Sequence, residues 1–437
     1  MAARGYQNHH DDQNSNEEND VNGQDNLIVD GLYHQDKSGA KGSMFQLSAS
    51  AIGSGVLSLP YMIAQSGFIL GSLMIIIACI AAIISFSMLA TCADQINAPT
   101  YTYLIQKVIG RNVDKHIVWL IFFSAVGFSV SYLIIITEMI QVLAINIDLD
   151  KSYVQSSEVK IAITAFIGLF ILFPTGSIRE MSGFRYISII SLASLVYIML
   201  ILLFELPYYA KQNFDAENLN FFKFDWDFFP NFSIAFFAFA CHIDFIQIYY
   251  EMNEKNPKRA SKLVYRSVAI NILFYLSIGL AGYFSTYEMT KKIVIDREPL
   301  IGQHIDLPLM IGRVMIIIGL CIAFPLRMVS LKQIFIKLIY SQEHQMTQGQ
   351  SISMSFGFVV LTSVISIIYP DITGILSIIG GLCSVTMCYV LPTICHIKLN
   401  RQELSICKKY SLIVFFGTLS LIGYISVILK IISIFQV

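Results

Sequence analysis

Eleven stretches of mostly apolar residues, each long enough to cross a bilayer, follow one another along this chain, and that recurrence limits the fold more than any other feature. They lie near residues 42–66, 68–93, 116–146, 159–174, 183–206, 229–251, 262–286, 308–338, 351–369, 371–397 and 410–434. A helix of about 20 residues spans the hydrocarbon core. With no water there, every backbone N–H and C=O has to bond within its own helix. Composition agrees: 55% of the chain is hydrophobic and 14% charged, against about 25% charged in soluble domains. The chain reads as an all-α integral membrane protein with eleven transmembrane helices and the lipid bilayer as its surroundings. Thr100 to Gly110 reads as a short amphipathic helix at the interface. A net charge of −1 gives no footing for a nucleic acid. The eight cysteines fall in apolar spans or on the side assigned below to the cytosol, with no CxxC or Cys/His metal spacing. Neither disulfides, a metal site nor a cofactor is expected.

Residues 1–36 are rich in Asn, Asp, Gln, His and Glu and lack long apolar runs, the composition of a disordered tail. The transmembrane domain is placed at 37–437. Orientation follows from the basic residues. Even-numbered connections hold Lys107, Arg111 and Lys115; Arg179 and Arg185; Lys255, Lys258, Arg259, Lys262 and Arg266; Lys332 and Lys337; and Lys398, Arg401, Lys408 and Lys409. The opposite loops carry Asp148, Asp150, Asp215, Glu217, Asp225 and Asp227 among fewer cations. The N-terminus is therefore expected in the cytosol, in a plasma membrane or a vacuolar or lysosomal one.

Two spans are irregular. The first contains Gly53-Ser54-Gly55, with Pro60 beyond it. A glycine pair weakens a helix, and peptide groups freed at that depth survive only where protein buries them or a cavity solvates them. The sixth, from Pro230 to Glu251, carries His242 and Asp244 well inside the apolar run, where an ionisable group is a functional-site hypothesis. Spans one and six each open a group of five. Interrupted helices at corresponding places in two halves point to an inverted-repeat transporter with its site at the repeat interface. The halves would be about 42–206 and 229–397, with the eleventh helix at 410–434 outside both.

At these residues the chain resembles the amino acid/auxin permease family of the amino acid-polyamine-cation superfamily, and its neutral amino acid transporter branch in particular. Ile52 to Pro60, with Gly67 beyond, is similar to the family's first-span motif. Ser131-Tyr132-Leu133 followed by Glu138 is similar to the third-span signature. Phe239-Ala-Cys-His242 with Ile248-Tyr249 and Glu251 resembles the sixth, and Phe324-Pro325-Leu-Arg327 the eighth. The resemblance runs from about residue 38 to the end. It implies a LeuT-type fold of two inverted five-helix repeats plus one helix, and a substrate with an amino acid backbone. Half-helix N-termini would offer N–H groups to its carboxylate, and C-termini would offer carbonyls to its ammonium. Sodium-coupled members carry an asparagine before the first break and a threonine in span eight. Here those neighbourhoods read Ala49-Ser50-Ala51 and Ile316-Ile317-Ile318, so a proton is the expected coupling ion.

The candidate substrate-binding residues are thus Ile52, Gly53, Ser54, Gly55, Tyr132, Ala238, Phe239, Cys241 and His242. His242 and Asp244 are the candidates for proton coupling, or else a structural pair facing a neighbouring helix. Glu138, Glu205 and Arg327 are read as structural, Glu205 reaching water and Arg327 snorkelling to an interface. No catalytic motif such as HExxH, GxSxG or a P-loop occurs, so an enzyme is not expected. Three readings stay open: a proton-coupled transporter, a sodium-coupled or facilitative amino acid carrier, and an amino-acid-binding membrane sensor.

Overall fold

The computed structural model describes residues 40–110, 113–177, 187–215, 217, 219–252, 256–301, 303, 305–339 and 347–436. The tail of residues 1–36, and Arg111, Arg179, Arg185 and Lys255, lie outside them. The described residues hold ten helices long and apolar enough to cross a membrane, or eleven when one bent pair counts as a span. That pair is span one, Ala40–Ala51 and then Ser54–Ser58 with Leu59–Ser66. Spans two to five are Phe68–Ile96, Asp114–Asn146, Ser157–Gly176 and Ile187–Asn213. Span six runs Phe228–Tyr250, and spans seven to eleven are Pro257–Thr286, Leu307–Ile339, Gln348–Ile368, Ile372–Leu399 and Ile406–Phe435. Apolar runs located these helices because a helix in lipid must continue until its ends reach polar surroundings.

Spans one and six lie in the interior. Span one packs on spans two, six and seven, while span six packs on spans ten and eleven. Small residues permit the close approaches. A Cβ on Gly380 of span ten would fall 2.0 Å from the Ser233 carbonyl of span six, and one on Gly127 of span three 2.2 Å from Ile379. The helix Tyr101–Ile109 sits where an interfacial helix was expected. It is also anchored inward, since Tyr101 is buried and donates to the Met387 carbonyl at 2.6 Å.

The end of span one is pinned by main chain. Phe68 N and Ile69 N donate to Asn220 O and Phe221 O at 3.0 and 3.1 Å, and Lys223 N donates to Ser66 O at 2.8 Å. Gly67 turns the chain there at φ +81°, and a Cβ would lie 2.7 Å from the Phe221 backbone. Only glycine meets both demands.

On this same face Glu205 does not simply reach water as expected. Its carboxylate meets the buried Arg297 guanidinium, which also lies 3.4 Å from Asp306 and 3.6 Å over the Tyr209 ring. Arg313 fixes the same loop through Ile295 O and Arg297 O, at 2.8 and 3.0 Å. A second link joins Lys292, in the loop before span eight, to Asp371 at the start of span ten, at 2.7 Å. Burial pushes the Asp371 carboxyl up, but the hydrogen bond and charge of Lys292 outweigh it and hold the group below its ordinary value. For Lys292 burial pulls down, and Asp371 more than reverses it. A depressed carboxylate stabilises the fold above its unfolded pKa of about 3.9 and loses that effect as the pH falls through its folded value. The Lys292 contribution holds below its own unfolded value and is lost only in alkali. Asp371→Asn is therefore expected to lower the melting temperature slightly at pH 7, the loss of stability being less than about 1 kcal/mol because the pair is partly exposed. The effect should shrink as the pH is lowered below about 3.9, as read by thermal unfolding over a series of pH values.

Candidate functional site

Both irregular spans break near their middles. In span one the α-helix stops at Ala51, Ile52 and Gly53 are non-helical, and a tight 3-10 turn of Ser54–Ser58 leads into Leu59–Ser66. The two halves meet at 49°. Pro60 stands in the first turn of the second half, where its missing N–H costs nothing. Span six is helical over Phe228–Ala238, loses the helix at Phe239, Ala240 and Cys241, and resumes over His242–Tyr250.

The glycines serve the first break through space rather than through backbone freedom. Gly53 is extended at φ −137°, ψ −153°, a conformation open to other residues. A Cβ on Gly53 would meet nothing within 4 Å, whereas one on Gly55 would lie 2.8 Å from Cδ1 of Phe237 in span six. Gly53 therefore borders open volume, and Gly55 lets the two broken spans touch.

Hydroxyls stitch the breaks to their neighbours. Ser54 Oγ lies 3.0 Å from Ser131 Oγ of span three, and Ser131 also donates to Phe128 O at 2.8 Å. Tyr132, buried one residue on, lies near the Arg327 side chain of span eight. The Arg327 guanidinium sits 4.1 Å over the Phe128 ring, a cation–π placement, and within electrostatic reach of Asp244. Gly53, Ala240, Asp244 and Arg327 each keep some accessible surface although the spans enclose them, and Gly53 borders open volume. Arg327 thus corrects the expectation that it snorkels: it sits among the spans, over the ring of Phe128 on span three.

Of the expected site residues, Ile52, Gly53, Ser54 and Gly55 form one break, and Ala238, Phe239 and Cys241 the other. Cys241 is buried beside Ser50. His242 and Asp244 are not brought together. Two residues apart on a helix, they point to nearly opposite sides. His242 is buried with its ring stacked on Phe86 at 3.8 Å, and neither ring nitrogen has a partner. Asp244 lies within electrostatic reach of Arg327. Sequence reasoning missed Tyr275 of span seven, whose hydroxyl reaches the Ala51 carbonyl at 2.9 Å and the Ala238 carbonyl at 2.6 Å. Among the described residues, no three His, Cys, Asp or Glu side chains converge on a metal-sized point.

This arrangement places two helix ends at mid-span, with Arg327 and Asp244 in the same region. Residues 36–433 match the family model of the transmembrane amino acid transporter protein. The chain belongs to that family. Among related proteins, this family member is 24% identical over 396 residues to "Vacuolar amino acid transporter 2" of Saccharomyces cerevisiae, covering 87% of this chain and 81% of the relative. It is 20% identical over 380 residues to "Vacuolar amino acid transporter 5" of Schizosaccharomyces pombe, covering 82% and 84%. The family is one of transporters rather than enzymes, in keeping with the sequence reading.

Proposed function

We propose that this protein is a secondary active transporter that binds an amino acid between the two helix breaks and moves it by alternating access, driven by a proton gradient. The observation that carries the reading is the pair of breaks itself. Two mid-span helix ends are tied to one hydroxyl, that of Tyr275, beside a cavity bordered by Gly53. The amides opening the second half of span one carry the partial positive end of a helix and would hold the substrate carboxylate. The Ala51 and Ala238 carbonyls carry the negative ends and would face its ammonium. Spans one to five and six to ten would act as two inverted repeats that rock about this point. Asp244 is the proposed proton carrier, because it keeps accessible surface within the spans and has Arg327 to respond to its charge. The names of the two relatives support a vacuolar or lysosomal membrane, with the N-terminus in the cytosol by the basic-residue bias.

An amino acid sensor of the same fold would bind without moving solute. Purified protein in liposomes separates the two. Uptake of a labelled amino acid above equilibrium under an imposed inward proton gradient is the expected result. Saturable binding with no accumulation in either gradient direction would replace the transporter with the sensor.

A further inference from the structure

Tyr275 is fully buried in span seven, 224 residues in sequence from Ala51 and 37 from Ala238. Those two alanines are the last helical residues before the breaks of spans one and six. Each carbonyl belongs to a helix end whose final C=O groups lack an intrahelical donor and carry partial negative charge. The phenol has a single proton. It donates to one carbonyl at a time, while the other oxygen stands within 3 Å with no proton between. The ring is held edge-on to Phe239 at 4.9 Å and 71°, so the hydroxyl cannot swing away from either partner without moving the second break.

We propose that Tyr275 is a positioning residue of the binding site, fixing the two half-helix ends in register and leaving one carbonyl free for the substrate's ammonium. The proposal rests on the function argued above and names the group that sets the site's geometry. One proton between two acceptors is short by one donor, and an ammonium in the cavity supplies it. With substrate bound, each carbonyl has its own donor; with the cavity empty, the hydroxyl holds the ends together by itself. Binding at one break is thereby felt at the other.

Tyr275→Phe tests this with the loss of one oxygen, since the ring still packs on Phe239. Two quantities are read on the full-length purified protein: KM for uptake of the best-transported amino acid, and the rise in melting temperature that this amino acid produces. The expected result is a KM at least tenfold higher, with kcat changed less, and a melting-temperature rise at fixed ligand that is largely lost. Wild-type values of both would overturn the proposal, as would a variant that melts lower but keeps its KM, because packing alone then explains the residue. Tyr275→Lys decides the matter if the phenylalanine variant does not insert. A lysine ammonium has the same reach and three donors, so it serves both carbonyls at once and occupies the substrate's place. It should insert and give no ligand-induced rise; failure to insert would leave ring packing as the residue's role and sink the proposal. The melting measurement needs binding only. A protein that binds but never accumulates therefore fails the transport reading without touching that of Tyr275.

Discussion

Gly55→Val is expected to abolish amino acid uptake, by more than tenfold against wild type at matched membrane insertion, and Gly55→Ala to reduce it measurably. A Cβ at Gly55 would meet the Phe237 ring at 2.8 Å, and that ring lies tilted against Phe128 at 4.4 Å, which in turn carries the Arg327 guanidinium at 4.1 Å. Relief of the overlap must pass along this series, since Phe237 and Phe128 are both buried. Overpacking of this kind costs about 1–3 kcal/mol. The helices outside the centre are held by their own contacts, so insertion survives while the distance between the two breaks does not. Uptake in proteoliposomes, with protein quantified in the same vesicles, checks it. A Gly55→Val protein that transports near the wild-type rate would mean the contact between spans one and six is not part of the site.

Asp244→Asn is expected to remove the response of uptake to a pH step from about 7.5 to 5.5, a range across which a carboxylate has to be tuned by its surroundings to titrate. Asp244 lies in the first turn of the second half of span six, within electrostatic reach of Arg327 on span eight. On the proposed mechanism, a proton taken up by Asp244 from the acidic side would cancel its attraction for the guanidinium, and release on the other side would restore it. Asparagine keeps the size and the hydrogen-bonding capacity but holds one charge state throughout. Uptake should then be slow and flat with pH, and replacement of sodium by choline should leave wild-type uptake unchanged. His242→Gln should keep the pH response, because the ring contacts Phe86 rather than Asp244. Uptake by Asp244→Asn that still follows the pH step would move the coupling elsewhere. Collapse of wild-type uptake in choline would make sodium the driving ion.

The span limits were legible because hydrocarbon leaves the backbone no alternative to a continuous helix. The first break was legible because a glycine pair in such a run has no packing advantage to set against its cost. The break in span six was legible from the polar pair inside it, although the pair itself divides: helix geometry turns His242 toward Phe86 and Asp244 to a different side of the helix. Arg327 was not legible. An arginine within reach of a span's end reads equally as snorkelling or as facing inward, and only the positions of Phe128 and Tyr132 on another helix choose between them. Tyr275 was invisible for a similar reason. One tyrosine in an apolar run looks like packing until two distant carbonyls are placed beside its hydroxyl. Glu205 looked solvent-facing because its partner, Arg297, is 92 residues away in sequence.

The central claim, that substrate sits between the breaks, is tested most directly at Gly53, where a new side chain would point into open volume. Gly53→Cys is to be treated with a small thiol reagent, with and without a saturating concentration of the transported amino acid, beside wild type as a control for the native cysteines. Labelling that appears with Gly53→Cys and is blocked by the amino acid, half-maximally near its KM, is the predicted result. Labelling at Gly53→Cys that the amino acid leaves unchanged would place the substrate elsewhere and contradict the account.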